Sequence, residues 1–142
     1  MIKTFNKNIY IVMYHYVRNI KKSKYPNLKG LEFSDFRKQI IYLKKNFNIL
    51  SNNQFIEILN STKIPKKKSI LLTFDDGYRD HFEYVFPFLK KQDVSAIFYP
   101  PIMCIRNKAV LDVNKIHFIL AKEENRDKIL DLIFLYVKKI LG

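Results

Sequence analysis

Apolar positions along the chain recur in two alternating patterns. Residues 9–17 read Ile-Tyr-Ile-Val-Met-Tyr-His-Tyr-Val, a β-branched and aromatic run that predicts a buried strand. A polar loop with Pro26 and Gly30 follows, and Ser34 is placed to cap a helix carrying Phe36, Ile40, Leu43 and Phe47 on one face. Residues 47–50 predict a short second strand. Ser51 or Asn52 then caps a helix with Phe55, Ile58 and Leu59, and 64–68 forms a loop. Residues 69–74, Ser-Ile-Leu-Leu-Thr-Phe, are nearly continuously apolar, as in a parallel strand covered on both faces, and Asp75-Asp76-Gly77 ends it. Tyr78, Phe82, Val85, Phe86 and Leu89 mark a helix that Pro87 must kink or interrupt. Residues 94–99 make a fourth strand, stopped by Pro100-Pro101. Two helices close the sequence, one over 113–121 and one with Leu130, Ile133, Phe134, Val137 and Leu141 on a single face.

Strands alternating with helices predict an α/β architecture, a parallel sheet with right-handed crossovers and chemistry at the carboxyl ends of its strands. No internal repeat or Gly/Ser linker divides the 142 residues, which are read as one domain or part of one.

Composition narrows the function classes. With 48% hydrophobic and 15% aromatic residues the chain is globular rather than disordered, and its single Cys104 excludes an internal disulfide framework. Cys104 has no matching His/Asp constellation and is read as a bystander. The net charge of +13 raises a nucleic-acid or acidic-polymer partner. Only 5 of the 26 basic residues are Arg, however, and the Lys pairs are scattered rather than gathered on one face, so nucleic acid is not the expected partner. No apolar run approaches the length of a membrane span. Lys3 and Lys7 ahead of residues 9–14 faintly resemble a signal peptide, but His15 and the lack of a small-residue cleavage site point to a cytoplasmic protein.

Thr73-Phe74-Asp75-Asp76-Gly77 carries the candidate chemistry. Two adjacent carboxylates at the mouth of an apolar strand repel each other unless a metal, a cation or a shared proton compensates. One can then bind a divalent metal while the other takes a proton from water, and Gly77 permits the sharp turn that lets both face one cavity. A bare Asp-Asp-Gly is also a common helix cap.

The pentapeptide resembles the first motif of the polysaccharide deacetylases, the NodB-homology domain of family 4 carbohydrate esterases. Met13-Tyr14-His15-Tyr16-Val17 resembles that family's Tyr-His opening strand, and Ala96-Ile97-Phe98-Tyr99-Pro100 its Ala-Thr-Phe-Phe strand. The helix from Tyr78 to Leu89, with a Pro near its end, is similar too. The resemblance is strongest over 9–101, with two further helices over 112–142. It implies the N-terminal portion of a distorted (β/α) barrel, about four parallel strands with flanking helices. It also implies metal-dependent removal of an acetyl group, usually N-acetyl, from a sugar or polysaccharide. By the same resemblance Asp75 is the general base, and Asp76 is a ligand to zinc or a similar divalent cation.

The family completes its metal site with a His-Ser/Thr-x-x-His motif, whereas this sequence has His15, His81 and His117 and no such pair. His15 ends the first strand and is the best supporting candidate, standing behind the catalytic groups. His81 is read as a solvated helix position, His117 as structural, and Tyr78 and Tyr99 as aromatic core with a sugar subsite as the alternative. Eight-stranded barrels need roughly 250 residues, so the sequence reads as the front half of an enzyme. The alternatives are an inactive remnant or carbohydrate-binding module, and a Lys-rich binder of acidic polymers.

Overall fold

The strand over Ser69–Asp75 organises the molecule, as a computed structural model that describes residues 8–61 and 65–141 shows. We number the elements in chain order. Strand β1 spans Ile9–Tyr14, β2 Val17–Arg18, β3 Leu31–Glu32, helix α1 Phe33–Asn46, β4 Asn48–Ile49, α2 Asn52–Asn60 and β5 Ser69–Asp75. A π-helical turn over His81–Val85 runs into α3, Phe86–Lys91; β6, Ile97–Tyr99, α4, Ile102–Asn107, α5, Asp112–Lys122, and α6, Arg126–Leu141, complete the chain. Residues Lys3 and Lys7, on which the signal-peptide resemblance rests, and Ile64 of the expected loop lie outside the described residues.

Among the described residues all pairings in the main sheet are parallel and involve β5. Strand β1 lies along one side of it, from Ile9 opposite Ser69 to Tyr14 opposite Phe74. The other side is shared: β4 pairs with Ser69 and Ile70, and β6 with Thr73, Phe74 and Asp75. The six residues Ser69–Phe74 are buried, as the unbroken apolar run predicts. One face of the sheet packs on Phe36 and Ile40 of α1 and on Val85 and Leu89, forming a core with Tyr14, Ile70, Leu72 and Phe74. Phe74 stacks between Tyr14 and Phe98 at centroid distances of 5.0 and 4.9 Å. The opposite face leaves Ile11 and Met13 exposed.

Several expected boundaries move, each for a local reason. The first strand ends at Tyr14 rather than at residue 17, because the His15 carbonyl turns away to accept the His81 imidazole; the chain resumes as β2, paired in parallel with β3. Ser34 does not cap α1. Strand β3 runs directly into the helix with Glu32 at its N-cap, and the Glu32 carboxylate accepts the Lys21 N–H at 2.7 Å instead. Ser51 does cap α2: its hydroxyl accepts the Gln54 N–H while the Gln54 side chain accepts the Ser51 N–H, a complete capping box.

Pro87 interrupts its helix as expected. It has no N–H to donate and its ring crowds the carbonyl four residues back. The backbone widens into the π turn just before it, where the Phe86 N–H reaches the His81 carbonyl. The buried face of this segment is His81, Val85 and Leu89, while Phe82 and Phe86 are exposed. The fourth strand starts at Ile97, because the Val94 N–H bonds back to Leu89 and completes the helix end. Sequence reading places no helix at α4, whose six residues are too few for a helical period to stand out; its Ile102, Met103 and Ile105 are exposed. Helix α6 forms, but its expected apolar face is exposed along its whole length.

Candidate functional site

The site lies at the carboxyl ends of β1 and β5. Their register sets Tyr14 opposite Phe74, so the next residues, His15 and Asp75, emerge side by side. His15 Nε2 stands 3.9 Å from Asp75 Oδ2, with the two side chains 45% and 29% exposed, open enough to meet a solute. Asp75 is still a strand residue, in register with Tyr99 of β6, whose ring is half exposed rather than in the core.

Asp76 leaves the strand with φ +70° and Gly77 follows at +60°, so two successive left-handed residues make the turn. Asp tolerates this region better than most residues with a Cβ. At Gly77 a Cβ would also stand 2.8 Å from the Pro100 Cβ and 3.0 Å from its Cα, so the end of β6 closes directly over the turn. The turn sends the Asp76 carboxylate away from His15 and into a polar cluster. Tyr78 donates its hydroxyl to Asp76 Oδ2 at 2.5 Å and also lies 2.9 Å from Asn114 Oδ1 of α5. Burial, then the hydrogen bond to Asp76 and the adjacent Tyr16, holds the Tyr78 hydroxyl protonated well above the usual phenol range.

Around this cluster, Tyr16 stacks on Tyr78 at 4.4 Å, and Arg18 lies over both rings while pairing with Asp80. Behind it, His81 is buried, which corrects the solvated position expected for it. Its Nε2 donates to the His15 carbonyl at 2.6 Å, tying the site's first strand to the helix after the turn. Burial lowers the His81 pKa, against an opposing pull from that carbonyl, so the ring is held neutral. His117 is exposed, and its Nδ1 lies 3.3 Å from the Tyr16 hydroxyl. His15 and His117 line one groove of about 840 Å³, walled by Leu28, Leu120 and Ile133. Cys104 is half-buried and takes no part.

Asp75, Asp76 and His15 therefore share one end of the sheet, but they do not converge as a ligand set. Among the described residues no group of three His, Cys, Asp or Glu side chains is arranged to hold a metal ion. One oxygen of Asp76 is already committed to Tyr78. A catalytic zinc generally takes three protein ligands and an open position, and the residues present do not fit one. Sequence reading missed Asn114 altogether, took Tyr78 for aromatic core or a sugar subsite, and gave the Tyr16 hydroxyl no role. Their partners lie 36 and 98 residues apart, a separation that no local pattern encodes.

Comparison with known proteins agrees with this geometry. Residues 62–102, which hold β5, the Asp-Asp-Gly turn and β6, match the family model described as polysaccharide deacetylase. YxkH of Bacillus subtilis (strain 168), named for the polysaccharide deacetylases, is 29% identical over 90 residues; the match covers 63% of this chain and 30% of YxkH. Among solved structures, the Streptococcus pyogenes deacetylase PplD in complex with acetate is similar with a TM-score of 0.59 at 25% identity, covering 76% of this chain and 50% of that one. A de-N-acetylase from Aggregatibacter actinomycetemcomitans gives 0.53 at 26% identity, over 65% of this chain and 37% of its own. This chain thus spans about a third of the curated relative and at most half of these structures. The Asp-Asp-Gly strand end, the parallel sheet that presents it and these likenesses make the chain similar to the polysaccharide deacetylases over the part that holds the turn.

Proposed function

We propose that this chain carries out the proton transfer of a hydrolase that removes acetyl groups from a sugar or polysaccharide. The observation that supports it is the approach of His15 to Asp75 at 3.9 Å on adjacent parallel strands, open to solvent. In this reading Asp75 is the general base. It takes a proton from the water that attacks the acetyl carbonyl, and His15 beside it steadies the charge that changes during the step. Asp76 is held by Tyr78 through one oxygen, and among the described residues no hydrogen bond claims the other. The polysaccharide deacetylases that the chain resembles are generally metal-dependent, whereas among the described residues no three His, Cys, Asp or Glu side chains are arranged to hold a metal ion.

A second reading is a carbohydrate-binding remnant without catalysis. The lack of a converging ligand set among the described residues favours it. One assay separates the two: acetate release from acetylated chitooligosaccharides by the 142-residue chain, with and without added zinc. Release that falls about 100-fold or more in Asp75→Asn supports the first reading. Saccharide binding without release, unchanged in that variant, supports the second. Binding to any polyanion that vanishes with salt and ignores the saccharide would sink both.

A further inference from the structure

The cluster beneath Asp76 has three short oxygen–oxygen contacts but only two phenol protons to fill them. Asn114 Oδ1 lies 2.9 Å from both the Tyr16 and the Tyr78 hydroxyls. Each phenol has one proton. The Tyr78 proton goes to Asp76 Oδ2, at 2.5 Å the shorter and charge-assisted contact. That leaves Tyr78 and Asn114 Oδ1 as two acceptors facing each other at 2.9 Å, inside a site where Asn114 is only 5% exposed. Buried acceptors so placed are costly.

Turning the Asn114 amide over resolves the count, since its oxygen and nitrogen occupy interchangeable positions. With Nδ2 between the two rings, one N–H is donated to Tyr78 and the other to Tyr16. Tyr78 donates to Asp76, and Tyr16 is free to donate to His117 Nδ1 at 3.3 Å. Every proton then has an acceptor. We infer that Asn114, as a double donor, is a positioning residue: through Tyr78 it fixes the Asp76 carboxylate, coupling the packing of α5 to the carboxyl end of β5. The contact crosses from residue 114 to residue 78, so the orientation of Asp76 is set from outside its own loop. The site role of Asp76 rests on the function proposed above; the direction of the hydrogen bonds does not.

The test uses the full chain, labelled for NMR, at pH 8. Asn114→Asp keeps the shape but offers acceptors only, so it draws the Tyr78 proton away from Asp76. The Asp76 and Gly77 amide resonances should move in this variant and in Tyr78→Phe, with a thermal midpoint lower by about 5 °C. Tyr16→Phe keeps the ring stack and the arm to Asp76, so those two resonances should stay in place. Asn114→Leu, similar in volume and without donors, covers the case in which the Asp variant does not fold, and should move them as Tyr78→Phe does. Wild-type resonances and midpoint in Asn114→Asp, or in Asn114→Leu where only that variant folds, would overturn the inference. So would a displacement in Tyr16→Phe as large as in Tyr78→Phe. Acetate release, where present, should fall about tenfold in kcat with KM unchanged. Its absence in the wild type would count against the deacetylase reading and leave the resonance test standing.

Discussion

At Gly77 two demands meet in one residue. Its φ of +60° lies where side chains are rarely tolerated, and the Pro100 ring occupies the space a Cβ would need. Gly77→Ala should therefore cost about 2 kcal/mol or more in urea unfolding, and it should loosen β6 as well as the turn. His81 makes a second residue-scale prediction. Its folded pKa lies below that of the unfolded chain, because burial disfavours the charged ring. The unfolded state therefore binds the proton more tightly, and stability falls as pH drops below the unfolded value of about 6.5. Denaturation midpoints at pH 7.5 and 5.5 should differ in that direction, and His81→Gln should flatten the difference. The Asp-Asp-Gly turn and His15 were legible in the sequence because their chemistry is local: an apolar strand ending in two acids, and a His at the end of another. Asn114 was not, since its significance depends on a contact to Tyr16 across 98 residues.

Elements whose signal lies within their own residues match the sequence reading most closely. The capping box at Ser51 starts α2 where polar pattern alone places it, and Ser51→Ala should cost about 1 kcal/mol, read as a lower denaturant midpoint with an unchanged slope. Strand β5 is equally plain, since burial on both faces requires an unbroken apolar run. Elements whose ends depend on a partner were misread. Strand β1 stops early because His81 claims a carbonyl beyond it, and α1 starts without a side-chain cap because β3 delivers the chain already aligned. The π turn was half legible: Pro87 announces an interruption, but only the packing of His81, Val85 and Leu89 shows which face is turned inward.

On the scale of the whole molecule, the chain exposes 11387 Å², against about 7,800 Å² expected for a folded monomer of its mass. Among the described residues large apolar side chains stand exposed: Ile11 and Met13 on the open sheet face, Ile102, Met103 and Ile105 on α4, and the length of α6. Patches of this extent mark surfaces meant to be covered. The isolated chain should bind a hydrophobic dye strongly and associate with rising concentration in light scattering. Ile133→Glu and Phe134→Glu together should reduce both effects while leaving the far-ultraviolet circular dichroism in place. Hydropathy patterning could not reveal this, because α6 carries a sound amphipathic stripe whether or not anything packs on it.

The central place of β5 also sets an order of events during synthesis. Ile9 pairs with Ser69, sixty residues later, and among the described residues β4 and β6 pair only with β5. Strand β1 and the short β4 must wait, unpaired, until β5 has left the ribosome, so the sheet cannot grow strand by strand from its N-terminal end. It closes in one late step of high contact order. Until then the apolar residues 9–14 are an unprotected strand, the interval in which a chaperone would have most to do.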